Sequence, residues 1–207
     1  MEILTTINEI KKYAANAKAQ GKTIGLVPTM GALHEGHLTL MCAAREKCDI
    51  VIASVFVNPT QFGPNEDYDA YPRQFAADCE KLESVNVDAV FHPEPSEMYP
   101  EGYCTYVNVD GDITHKLCGA QRPGHFRGVA TVVTKLININ VHIHMVPIAR
   151  EESGLARSSR NTYLSAEEKE AALVLSRSLK EAKAAFAQGE THISTLENIV
   201  KDEISKE

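Results

Sequence analysis

The stretch Thr23–Val57, TIGLVPTMGALHEGHLTLMCAAREKCDIVIASVFV, holds the reading on which the fold turns. Thr23–Pro28 is short, apolar and closed by proline, while Asp49–Val57 is a nearly unbroken apolar, β-branched run of the kind buried on both faces of a sheet. Between them, Leu38, Met41, Cys42 and Arg45 recur at helical spacing. Strand, loop, helix and strand in this order predict a right-handed crossover between parallel strands.

Upstream, Thr6 and Glu9 have capping-box spacing, and Ile7, Ile10 and Ala14 predict a helix over residues 6–20, ended by Gly21. Downstream, Phe75, Cys79 and Leu82 mark a helix over 72–84, followed by a strand at Asp88–His92. The Tyr-, Gly- and Pro-punctuated stretch Pro93–Arg122 contains one expected strand, Thr105–Val109. Gly128–Asn138 reads as a helix with Val129, Val132, Val133 and Leu136 on one face, and Val141–Pro147 alternates as a strand does. Beyond Arg150, Ser165 and Glu168 form a second capping box for a long amphipathic helix reaching Gln188 and stopped by Gly189; a further helix carries Leu196, Ile199 and Val200. The expected class is α/β: a Rossmann-like parallel sheet with helices on both faces over residues 1–150, then a partial, mostly helical C-terminal domain over 151–207.

With 207 residues, 43% of them hydrophobic, one or two domains with a sizeable core are expected. The 21 Lys+Arg and 28 Asp+Glu leave a net charge of −7, which argues against nucleic acid or a membrane surface as partner. Any phosphate site must be built locally. No apolar run approaches the roughly 18 to 20 residues of a membrane span, and Met1–Gln20 lacks a signal-peptide pattern. Five cysteines, odd in number and without C-x-x-C, suggest neither a disulfide framework nor structural zinc, and the expected location is cytoplasmic.

The first strand of the crossover delivers its carboxyl end into Pro28–His37 (PTMGALHEGH), just before a helix. Ligands of open α/β sheets bind at that edge, and helix N-terminal amides favour an anion there. His34 and His37 could hold the phosphates of a nucleotide, with Gly31 and Gly36 allowing close backbone approach; the alternative is two polar residues in an exposed loop. The segment is neither G-x-G-x-x-G nor a P-loop, and histidines three apart, taken to precede the helix, do not match H-E-x-x-H zinc spacing. Asn58 and Gln61 follow the second strand, where amides orient a polar substrate or simply make an Asn-Pro turn. Arg122, His125 and Arg127 could face an anion, or close a helix N-terminus with their glycines. Ser158, Ser159 and Arg160 could clamp a phosphate or lie in a solvated linker. His142 and His144 share one strand face, which falls short of a metal site.

Taken together, VPTMGALHEGH at 27–37, VFVNPTQFGPNED at 55–67, AYPR at 70–73, RPGHFRGV at 122–129 and PIAREESGLARSSRNTYLS at 147–165 resemble the pantothenate synthetase (pantoate:beta-alanine ligase) family of the HIGH-motif nucleotidyltransferases. The resemblance implies ATP-dependent condensation of pantoate with beta-alanine through pantoyl adenylate, releasing AMP and pyrophosphate, with Mg²⁺. It implies ATP binding by Met30, Gly31, Ala32, Leu33, His34, Glu35, Gly36, His37, Ala149, Arg157, Ser158, Ser159 and Arg160. Of these, His37 and His34 would be catalytic, and Gln61, Asn58 and Tyr71 would serve the acid and amine substrates. A homodimer is implied too; metal ligands are not assigned.

Three departures stand out. Arg157 occupies a position where the family usually has an apolar residue. After Lys135–Asn138 (KLIN), members continue through a strand and a helix bearing Phe-Gly-Glu-Lys-Asp-x-x-Gln, with a phosphate-binding Lys and a second pantoate-binding Gln; here the chain passes almost directly to Val141. It also stops at Glu207, short of the family's full C-terminal domain. The alternatives are an ATP-binding remnant of such a ligase, or a related nucleotidyltransferase activating another carboxylate.

Overall fold

The computed structural model describes residues 1–116, 118–136 and 143–207. Thr6 caps α1 (Ile7–Ala19) reciprocally with Glu9, as the sequence spacing predicts. A sheet follows from β1 (Glu2–Leu4), β2 (Ile24–Thr29), β3 (Ile50–Val55) and β4 (Ala89–Phe91), all parallel, in the order β1-β4-β3-β2. From β2 the chain winds one way, through α2 (Glu35–Arg45) to β3 and through α3 (Phe75–Ser84) to β4. The step from β1 across to β2 runs the other way. Right-handed crossovers wound in opposite directions place their helices on opposite faces.

The two cores show this. Val51, Ala53 and Val55 of β3 and Val90 of β4 pack with Met41 of α2 and Leu82 of α3. The alternate residues Ile52, Ala89 and Phe91 pack on the other face, with Ile7 and Ile10 of α1 and with Val132, Val133 and Leu136 of α6 (His125–Leu136). Period-two alternation along β3 therefore feeds both cores. Two short helices, α4 (Pro95–Met98) and α5 (Cys118–Gln121), punctuate the connection from β4 to α6.

Four expectations change. β1 was not foreseen: three residues are too few to show a periodicity, and they qualify as a strand only by pairing with β4. Thr105–Val109 joins no ladder, and the Val107 amide donates to Thr131 Oγ1 at 2.9 Å instead of to a neighbouring strand. Helix α6 begins at His125 rather than Gly128, with the Gly128 amide bonded to the Gly124 carbonyl at 3.0 Å; Gly124, at φ +84°, is the turn, and what reads as loop is already helix. Of the strand expected at Val141–Pro147, residues 143–147 are irregular, while Val141 and His142 lie outside the described residues.

The chain divides into two compact units, Met1–Leu33 with His37–Val146, and His34–Gly36 with Pro147–Glu207. In the second, Ser165 and Glu168 cap α7 (Ala166–Ala187), which packs against α8 (Ile193–Ile204). Arg177 of α7 joins Glu203, which is 4% exposed, and Glu207. Among the described residues no helix is long and apolar enough to cross a membrane.

Candidate functional site

The carboxyl ends of β2, β3 and β4 open onto a cavity of about 190 Å³ lined by Met30, Gly31, Val55, Phe75, Asp78 and His92, among others. The loop leaving β2 turns sharply there, with Gly31 at φ +83° and Ala32 at φ +49°. A left-handed alanine is strained and persists only where its surroundings fix it. Asp78 of α3 supplies the fixing. Its carboxylate is 1% exposed and accepts the Ala32 amide at 3.0 Å and the Leu33 amide at 2.7 Å, while Lys81 Nζ donates to the Leu33 carbonyl at 2.6 Å. A Cβ on Gly31 would lie 3.0 Å from Asp78 Oδ2 and 3.1 Å from Val55 Cγ1, so a side chain there would add crowding to the strain of the positive φ. Sequence reasoning passed over Asp78, although its signal was present: a carboxylate on the same helical stripe as Phe75, Cys79 and Leu82.

His34 Nδ1 accepts the Gly36 amide at 3.1 Å. That bond requires an unprotonated Nδ1, so the neutral ring carries its proton on Nε2, as a donor. A Cβ on Gly36 would come 2.9 Å from His34 Cε1, so a side chain there would push the imidazole aside. His37 does not precede α2, as expected, but lies in its first turn, because the helix starts at Glu35. Its imidazole thus belongs to the helix end where backbone amides lack intrahelical partners.

At the end of β3, Asn58 caps a 3₁₀ turn, Pro59–Gln61, and is 1% exposed. Its Oδ1 accepts from the Thr60 amide at 3.3 Å, Thr60 Oγ1 at 2.9 Å and Tyr99 Oη at 2.8 Å. Its Nδ2 donates to the Gly128 carbonyl at 3.2 Å and to Gln61 Oε1 at 3.0 Å. Gln61 Nε2 in turn meets Met30 Sδ at 2.9 Å, so two residues chosen from sequence 31 positions apart come together. Helix α6 presses on this turn: a Cβ on Gly128 would lie 2.2 Å from the Thr60 carbonyl oxygen and 2.5 Å from Gln61 Cα. Tyr71 is 4% exposed and packs edge-on to Phe62. Arg122 does not face outward for an anion. It binds Glu66, bonds the Gln61 carbonyl at 3.2 Å, and its hydrogen bonding holds the Glu66 carboxyl below the usual carboxylate range.

In the second unit, the Arg157 amide bonds the Ala149 carbonyl at 3.0 Å, Glu151 pairs with Leu155, and Gly154 turns between them at φ +100°. The Arg157 side chain reaches Glu35 Oε2 at 3.7 Å, so the unusual arginine finds a carboxylate within its own unit. Ser158 Oγ caps the 3₁₀ turn Ser159–Tyr163 by accepting the Arg160 amide at 3.2 Å. Among the described residues no three His, Cys, Asp or Glu side chains gather as a metal cage; His142 lies outside them, and His144 belongs to no such group.

Comparison with known proteins fits this geometry. The sequence model described as pantoate-beta-alanine ligase matches residues 2–140 and 137–207, two stretches that meet at 137–140. A pantothenate synthetase from Pelotomaculum thermopropionicum is 50% identical over 235 aligned positions, covering 100% of this chain and 83% of the relative. One from Acetivibrio thermocellus is 48% identical with the same coverage. Since the chain has 207 residues, at least 28 of the 235 positions face none of them. Among solved structures, pantothenate synthetase from Thermus thermophilus superposes with a TM-score of 0.88 at 38% identity, covering 100% of this chain and 83% of that one. A pantoate-beta-alanine ligase from Francisella tularensis, crystallised with β,γ-ATP and beta-alanine, gives 0.77 at 33% identity over 98% of this chain and 86% of its own. In sequence and in fold, the chain belongs to the pantoate-beta-alanine ligase family.

Proposed function

We propose that this chain joins pantoate to beta-alanine through pantoyl adenylate, with ATP as the activating substrate. In the first step a pantoate carboxylate oxygen bonds to the α-phosphorus as the bond to pyrophosphate breaks. In the second, the beta-alanine amine bonds to the acyl carbon, loses a proton, and AMP leaves. Such chemistry asks for alignment and for neutralisation of developing charge more than for strong acids or bases.

The observation that carries the reading is the directed amide of Gln61. Thr60 N–H is an obligate donor, so Asn58 must turn Oδ1 toward it and Nδ2 toward Gln61. Gln61 must then offer its own N–H outward, where among the described residues it meets the Met30 thioether, a weak acceptor that a carboxylate or hydroxyl oxygen of pantoate would outcompete. On this reading Asn58 and Tyr71 support Gln61 and the acid pocket. Met30–His37 would receive the ATP phosphates, with His34 Nε2–H and His37 as donors and the α2 amides completing the anion site. By the family resemblance, Ala149, Arg157, Ser158, Ser159 and Arg160 of the second unit are assigned to ATP binding. The Francisella tularensis relative, crystallised with an ATP analogue and beta-alanine, supports these substrates.

Mg²⁺ keeps several waters and binds through substrate phosphates, so it would arrive on the triphosphate as part of the ATP substrate. We read the unmatched alignment positions as the strand-helix unit absent after Asn138, which leaves phosphate neutralisation to the histidines, Arg160 and backbone amides. Free thiols at all five cysteines support a cytoplasmic setting, and a homodimer follows from the family resemblance. The test is pyrophosphate–ATP exchange dependent on pantoate, followed by pantothenate formation on adding beta-alanine. Folded protein that binds ATP but shows no exchange would overturn the proposal, and exchange with another carboxylate but not pantoate would redirect it.

A further inference from the structure

The bonds around Asn58 run in one direction, and their starting point lies outside the loop that carries Gln61. Tyr99, the residue following α4, donates from Oη to Asn58 Oδ1 at 2.8 Å, the shortest of the three bonds that oxygen accepts. Asn58 Nδ2 donates onward to Gln61 Oε1 at 3.0 Å, and Gln61 Nε2 faces Met30. Each donor polarises the next, so the series strengthens the last N–H beyond what an isolated amide would offer.

We propose that Tyr99 is a positioning residue for the acid substrate: its hydroxyl holds the Asn58 and Gln61 amides in the orientation that presents Gln61 N–H, not C=O, to a pantoate oxygen. This rests on the functional reading given for Gln61. If Asn58 turned over, its oxygen would face the Gly128 carbonyl, and Gln61 would turn its own oxygen toward the substrate anion, two repulsive contacts. The Thr60 amide opposes that flip from within the same turn, and Tyr99 opposes it from a different element, so the orientation survives local motion of the turn. Burial pushes the Tyr99 hydroxyl above its usual range, so it stays a proton donor at any working pH. Its ring is held independently, by Phe56 at 6.2 Å, Tyr103 at 5.1 Å and the Lys135 ammonium at 5.6 Å, so removing the oxygen alone leaves the packing in place.

Tyr99→Phe tests this. The expected result is a pantoate KM raised about five- to tenfold, with kcat and the ATP KM within about twofold, corresponding to one weakened hydrogen bond. A merely structural role is separated by a double-mutant cycle: in a Gln61→Ala background the Tyr99→Phe change should leave the pantoate KM where Gln61→Ala alone puts it. Thr60→Ala, which leaves the Tyr99 bond intact, should shift the pantoate KM less than Tyr99→Phe. Additive effects in the cycle, or an unchanged pantoate KM in folded Tyr99→Phe with the parent active, overturn the role of Tyr99 alone. A parent chain that neither binds pantoate nor supports exchange removes the functional reading and this inference with it.

Discussion

Replacing Gly128 with alanine puts one methyl group where two backbones meet. The added Cβ would lie 2.2 Å from the Thr60 carbonyl oxygen and 2.5 Å from both Thr60 C and Gln61 Cα, whereas ordinary contact starts near 3.4 Å. All three atoms are backbone, so no side chain can swing aside, and α6 must separate from the 3₁₀ turn by about 1 Å. Overpacking of this kind costs roughly 1–3 kcal/mol. The intrinsic preference of alanine for helix returns at most about 1 kcal/mol. Steric repulsion is the larger effect over most of that range, with a net loss of up to about 2 kcal/mol, or a melting temperature lower by up to about 8 °C for a chain of this size. The functional effect should be larger. Moving Gln61 by about 1 Å, and with it the Asn58 bond to the Gly128 carbonyl, should lower kcat/KM for pantoate by about 100-fold while ATP affinity stays within a few-fold. Urea denaturation read beside pantoate-dependent exchange separates the two quantities. An alanine variant at least as stable as the parent, with unchanged pantoate kinetics, would refute the close approach of α6.

Asp78→Asn keeps the side-chain shape but leaves one acceptor where two amides converge; it should cost about 1–3 kcal/mol and raise the ATP KM, checked by thermal melting and by ATP titration of the exchange rate. His37→Ala, in the first turn of α2, should cut adenylation at least tenfold with a melting temperature close to the parent's; equal losses of activity and stability would contradict its assigned role. For the Glu66–Arg122 pair the folded carboxyl titrates below its unfolded value, so its stabilisation is present above about pH 4.5 and disappears as pH falls through the lowered value. Glu66→Gln should therefore flatten the acid limb of the stability curve, by about 1 kcal/mol for a pair whose side chains are still 25% and 22% open to solvent. An unaltered acid limb, measured as urea midpoint against pH, counts against that linkage.

The α/β crossover was legible because its cues are local: the β-branched runs of β2 and β3, the Thr6–Glu9 and Ser165–Glu168 boxes, and the apolar stripes of α3 and α7 each declare themselves within a few residues. The histidine loop and Gln61 were legible because they directly follow strands. Asp78 escaped because its value lies in amides 45 and 46 positions away. Gly128 was read as the start of a helix and the end of a Gly-Pro loop, since nothing near it in sequence reveals that the Thr60 backbone is its neighbour. The strand signal of Thr105–Val109 is sound as a preference for extended backbone; what fails is the supply of a partner, because Thr131 takes the Val107 amide.

The placement of β1 beside β4 has a cost in time. Glu2 pairs with Ala89, so β1 must wait 87 residues of synthesis for its partner, about 4–17 s at ordinary rates. Until then Ile3 and Leu4 lack the strand that later covers them, and the sheet grows from β2 and β3, closing only when the emerging β4 offers its outer edge. Vectorial synthesis thus delivers the carboxyl-edge loops of β2 and β3 before the sheet that holds them is complete, which makes the newborn chain, rather than the finished one, the form most exposed to misassociation.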